Sequence, residues 1–174
     1  MTRYAPTVAI AALSLLLASC VSAPPPPPPP PVDTTTPAQR VAVIDASGGA
    51  DDTELSVQPL RDPQVEDLRD SAKRKRAAGD LAGAAAALDQ ALQLVPEDPA
   101  LLQDRAELAL LLKDDAGAEV FAKRAVDLGS QTGPLCRRHW ATIEQSRLAR
   151  GQKENAASAH AHIEGCTVAG IKRY

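Results

Sequence analysis

Polar and apolar positions divide the 174-residue chain into three unlike stretches. Thr7 to Ala18 is a mostly apolar run, stopped at Cys20 and followed by an unbroken run of proline from Pro24 to Pro31. A membrane-spanning helix needs roughly 20 apolar residues, so this run has the size of a signal-peptide apolar region instead. From Val32 to Arg61 the chain is rich in Asp, Thr, Ser, Gly and Ala, and only "VAVI" (Val41 to Ile44) is a candidate short strand, without an evident partner. From Asp62 onward the pattern becomes helical. Asp62-Pro63 and Asp98-Pro99 each place an N-cap before a proline at the first helical position, and Gly133-Pro134 is a weaker third start. "LAGAAAALDQAL" (81–92) and "DAGAEVFAKRAV" (115–126) share Ala-Gly-Ala, and both place an alanine seven residues after that motif's second alanine. Their offset of 34 residues is the period of a helix-hairpin repeat. The pattern predicts an all-α protein: a signal peptide over 1–19, a disordered Pro-rich tether over 20–61, and an array of about three helical hairpins over 62–174.

Composition supports helices over strands. The chain is 44% hydrophobic but only 2% aromatic, so much of its apolar content is alanine and leucine. Small side chains let helices approach closely and fill a sheet poorly. The net charge is −3, and loss of the leader with Arg3 makes it more negative. A nucleic-acid binder carries a basic excess, so that class is disfavoured.

Leu17-Ala18-Ser19-Cys20 resembles the lipobox of bacterial lipoproteins. The resemblance implies that Cys20 becomes the first mature residue and carries the lipid. Several acyl chains on one residue overcome the weak anchoring of a single chain. Val21, rather than aspartate, follows the cysteine, which in such lipoproteins implies retention in the outer membrane. Polyproline rises about 3.1 Å per residue, so Pro24 to Pro31 would hold the remainder of the chain roughly 25 Å off the lipid surface. The alternative use of that run is as a ligand for a proline-recognising domain.

The hairpin repeat resembles the tetratricopeptide repeat. In the first unit Leu68 takes the large opening position, Ala72, Ala84 and Ala91 the small ones, Leu88 the aromatic one, and Pro96 closes the unit. In the second, Leu102 is the large residue, Ala106, Ala118 and Ala125 are the small ones, and Ser130 replaces the closing proline. A third unit fits after an insertion of four residues, which puts Trp140 at the large position, Gly151 opposite Gly79 and Ala156 opposite Ala84. Glu144 and Ile163 then stand where small residues are expected. Stacked hairpins need about three units for stability. The polar last helix, "KENAASAHAHIEGC", suits a terminal position, and self-association through an exposed end is a further expectation.

Apart from Cys20, the cysteines are Cys136 and Cys166, an even pair in a chain expected to enter an oxidising compartment. On the third-unit register they fall one residue before its first helix and at the end of its second. A disulfide there would brace the hairpin that departs most from the repeat. The alternative is a zinc site, since Cys136-x-x-His139 and His162-x-x-x-Cys166 each put two ligands on one helical face. Free thiols are the third option. His160 is expected to be an exposed helix residue.

In resembling repeat proteins the first helices of the hairpins line a groove that holds extended peptides or partner helices. Carried over by position, that groove would be lined by Glu66, Arg69, Lys73 and Arg76, by Gln103, Glu107 and Leu110, and by Arg138, Ala141 and Gln145. Arg69, Lys73 and Arg76 would form a cationic corner able to receive an acidic segment or a terminal carboxylate. Lys75 occupies a normally apolar packing position. Nothing in the sequence sets a nucleophile beside a base, a glycine-rich loop before a phosphate, or a carboxylate pair apart from helix surface. "VIDASGGADD" (43–52) has the residue types of a turn without a following helix to hold a phosphate. The sequence therefore predicts a non-enzymatic adaptor without a cofactor, lipid-anchored on the periplasmic face of the outer membrane and binding envelope proteins. The alternative function is a metal- or redox-responsive protein built on Cys136, His139, His162 and Cys166.

Overall fold

The computed structural model describes residues 33–49 and 62–167. The leader, Cys20 and the proline run lie outside the described residues. The helices are α1 (Pro37–Ser47), α2 (Pro63–Ala77), α3 (Leu81–Leu94), α4 (Pro99–Leu111), α5 (Asp115–Leu128), α6 (Gly133–Ala149) and α7 (Lys153–Gly165). No strand occurs among the described residues. Helices α2/α3, α4/α5 and α6/α7 form three consecutive hairpins, and α3 packs on α4 as α5 packs on α6.

Local chemistry sets these helices. Asp62 accepts a hydrogen bond from the Gln64 N–H, and Asp98 from those of Ala100 and Leu101, each before a proline, which has no N–H to leave unsatisfied. The second helices are capped by Asp80 and Asp114, which accept from the Gly83 and Gly117 N–H groups. This accounts for the glycine in the shared Ala-Gly-Ala motif: a Cβ on Gly83 or Gly117 would collide with the capping carboxylate.

Each hairpin turns through one residue with positive φ: Gly79 (81°), Lys113 (63°) and Gly151 (72°). Their spacings, 34 and then 38 residues, follow the expected period and the expected four-residue insertion. The insertion is an extra first turn on α6, which has 17 residues where α4 has 13. Cys136 therefore lies inside α6 rather than one residue before it. The small positions Ala72, Ala84, Ala91, Ala106, Ala118 and Ala125 are all buried, as is Leu102, whereas Leu68 on the outermost hairpin is half-buried. Glu144, at a small-residue position, turns its carboxylate to exposed His160 on α7 at 3.0 Å. Arg105 joins α3, α4 and α5 by donating to Asp89 at 2.7 Å while stacking over Phe121. Cys136 and Cys166 form a disulfide with Cα atoms 5.7 Å apart, and the Gly133 N–H donates to the Cys166 carbonyl.

The segment expected to be tether contains a helix. Residues 37–47 are helical, and Val41 to Ile44 belong to that helix rather than to a strand. Thr36 and Gln39 close a reciprocal capping box around Pro37 at the first helical position. Val41 and Ile44 are buried where α1 packs on α6 and α4. Alone in water, a helix this short is marginal, so docking sustains it.

Two changes in stability are expected. Lys113→Gly should stabilise the protein by about 1 kcal/mol, because it removes a side chain from a left-handed backbone position. Replacing Cys136 and Cys166 together by serine should cost about 3–4 kcal/mol by the chain-entropy estimate for this loop. Urea unfolding of each variant beside the parent measures both.

Candidate functional site

The face built by the first helices of the hairpins carries the residues expected to line a binding groove, and α1 lies across its α4/α6 part. Val41 and Ile44 pack with Ala109 and Leu110 of α4 and Ala141 of α6, with Ala118 and half-buried Ile163 closing the cluster. The two ends of α1 are held by charge. At the first end, the Arg40 guanidinium donates to the Gln145 backbone carbonyl and side-chain oxygen, both at 3.2 Å, and pairs with Asp33 at 2.6 Å. At the other, Asp45 accepts from Arg138 at 3.0 Å, and Arg137 donates to the carbonyls of Ser47 and Gly48. These contacts run α1 antiparallel to α6.

Beneath α1 lies a buried polar network. Glu107, 1% exposed, accepts from Gln103 at 2.9 Å, from Arg76 at 3.3 Å and from Arg138. Gln103 also donates to Thr142 at 2.7 Å, and its carbonyl oxygen accepts from His139 Nδ1 at 2.7 Å. That tautomer leaves His139 Nε2, buried near Gly129, without a partner. Burial raises the Glu107 pKa, against the pull of Arg138 and Gln103. Burial, and secondarily the charge of Arg138, lowers that of His139 to about 4.

The expected lining is therefore placed on the right face but is not open. Gln103 and Glu107 are turned into the α4–α6 interface, Gln145 is taken by Arg40, and Leu110 and Ala141 lie under α1. The cationic corner is also paired within the chain. Arg69 binds Asp104 at 2.6 Å, Arg76 binds Glu107, and exposed Lys73 binds Asp70 at 2.9 Å. Carboxylates of α4 thus neutralise the two arginines, and the corner offers little uncompensated positive charge. Lys75, half-exposed, reaches the capping carboxylate of Asp80. Arg40, Asp45 and Arg137 were missed as site residues; the signal that could have revealed Arg40 and Asp45 is the Thr36-Pro37-x-Gln39 start just before them, and Arg137, on α6, had no such signal.

The four-ligand alternative is not assembled. Both sulfurs are joined to each other, His139 is committed to Gln103, and His162 stacks on Trp140 with ring centroids 4.0 Å apart. Among the described residues no group of three His, Cys, Asp or Glu side chains is placed to hold a metal. A second ionic cluster fastens α5 to α6: Glu119 accepts from Arg147 and Arg150 and pairs with Lys123 at 2.8 Å. No helix among the described residues is long and apolar enough to cross a membrane.

The globular C-terminal domain of P. aeruginosa LpoP is similar to this chain, with 30% sequence identity and a TM-score of 0.57. The match covers 60% of this chain and 99% of that domain. No protein-family model and no curated protein matches the chain.

The buried imidazole carries a pH signature. Unfolded, His139 takes up its proton near the ordinary 6.5; folded, it resists down to about 4. Its contribution is present in full above pH 6.5 and is lost as pH falls toward 4, on the order of 3 kcal/mol in all. Glu107, with its raised pKa, has the opposite slope just above its ordinary value. His139→Gln should flatten the loss of stability between pH 7 and pH 4.5, measured by urea unfolding at each pH.

Proposed function

This chain belongs to the family represented by the globular C-terminal domain of P. aeruginosa LpoP, and from that premise we propose that it is an outer-membrane lipoprotein that binds other envelope proteins in the periplasm and catalyses no reaction itself. Cys20 would carry the lipid, and the proline run after it would hold the hairpins away from the membrane. The hairpins are read as tetratricopeptide-like from their 34-residue spacing, their alanines at helix contacts and their matching turn residues. The observation that supports a binding role is the face between α4 and α6. It holds a helix through an apolar centre and charged ends, the arrangement by which one protein reads an amphipathic segment of another. Since its occupant is α1, the partner segment is proposed to be helical rather than extended.

Two measurements test this reading. Replacing Cys20 with serine should move the protein from the outer-membrane fraction to the soluble periplasm. A photo-reactive residue at Lys73, exposed on the inner face of α2, should capture a reproducible partner set in intact cells. The same residue at Val120, exposed on α5, should not. Capture of nothing from either position, or of the same proteins from both, would count against a binding face built by the first helices.

A further inference from the structure

The α1 helix uses few residues to hold its place, and they form a short linear pattern. Arg40 reaches Gln145, Val41 and Ile44 fill the apolar centre, and Asp45 meets Arg138. All four fall within six consecutive positions, one face of an amphipathic helix. Arg137 and the last carbonyls of α1 add an anchor that any helix could offer, because it reads backbone at a C-terminus where acceptors are unsatisfied.

The array beneath does not require α1 for its own polar groups. If α1 left, Glu107 would keep Arg76, Gln103 and Arg138. The hairpins would keep their mutual packing and the disulfide. The departure would uncover an apolar strip of Ala109, Leu110 and Ala141, flanked by Arg137 and Arg138 at one end and Gln145 at the other. Such a strip favours a cover, and its charges select one orientation of it.

We propose that the α4/α6 face is an exchangeable helix receptor. α1 is its occupant in cis, and a partner helix takes its place by presenting an arginine, aliphatic residues one and four positions later, and a carboxylate five positions later. This rests on the binding role above and names both the ligand and the restraint on it. Because α1 belongs to the same chain, it holds the face at an effective concentration of order millimolar. A partner must outbid that concentration, by tighter contacts or by being concentrated nearby. The lipoprotein is then selective in two ways, for the helix pattern and for partners held close to it.

The test uses the mature chain and a fluorescent peptide of residues 33–49 as the probe for a trans helix. The parent should bind the peptide weakly, and the chain carrying Ile44→Asp should bind it about tenfold tighter or more, because the cis competitor is weakened. A peptide carrying Ile44→Asp should not bind, and Arg138→Ala added to the Ile44→Asp chain should weaken capture of the parent peptide. Should Ile44→Asp fail to give a folded chain by circular dichroism, Arg40→Ala with Asp45→Ala serves under the same criterion. Equal affinity for parent and variant, or no binding by a folded variant, overturns the proposal. A parent dimer that Ile44→Asp dissolves would put a second copy on this face and overturn the separate partner. Failure here with capture from Lys73 intact would leave the binding role standing on another part of the inner face; capture failing while the peptide exchanges would do the reverse.

Discussion

Arg138 is shared between two carboxylates that belong to different parts of the chain. One is Glu107 of α4, buried so that its pKa is raised against the pull of Arg138; the other is Asp45 of α1, half exposed. A buried carboxylate stripped of its partner is strongly destabilising, by about 3–5 kcal/mol in comparable cases. Helix α6, which supplies Arg138, is therefore held in register against α4, and Arg76 of α2 secures Glu107 from its other side. The inner face of the array is organised around this one carboxylate. The same guanidinium that satisfies it is what α1 finds when it docks.

The rest of the domain supplies the rigidity such a face needs. Alanines at the helix contacts bring backbones close, so that the first helices stand side by side and their longer side chains project onto one surface. The last hairpin lacks two of those small residues, and its replacements are accommodated locally: Glu144 by His160 across the hairpin, Ile163 by the cluster under α1. The disulfide closes the same hairpin at its open end, where the extra turn of α6 would otherwise stand alone. Stability and the face that holds α1 thus meet in α6, which carries Cys136, Arg137, Arg138, His139, Ala141 and Gln145.

Much of this was legible in the residues themselves. Asp-Pro pairs mark helix starts because a carboxylate caps and proline has no N–H to leave unsatisfied, and the Ala-Gly-Ala offset marks a period because the same cap and turn recur. The resemblance to the tetratricopeptide repeat, carried over by position, put Gln103, Glu107, Leu110, Ala141 and Gln145 on one face. Position in a repeat says which face a residue belongs to, but not what lies over it, so residues expected to be open proved buried or covered. Arg69 and Arg76 looked like free cations because their carboxylate partners lie about one repeat away in sequence. Helix α1 was hidden for a related reason. "VAVI" has β-branched residues and little length, and its helical form depends on a surface assembled from segments far along the chain. Its capping box was the one local sign.

Central to all of this is that α1 is a docked occupant of a face that the array completes without it. Native-state amide hydrogen exchange on the mature protein tests this most directly, because it reads the opening free energy of each helix separately. Amides of Val41 to Ser47 should exchange through a shared opening that costs clearly less than the opening of Leu102 to Leu110 in α4, while α4 and α6 stay protected. If α1 and α4 open together, at the same free energy and with the same dependence on denaturant, α1 is an integral part of the core and its docking on a completed face is contradicted.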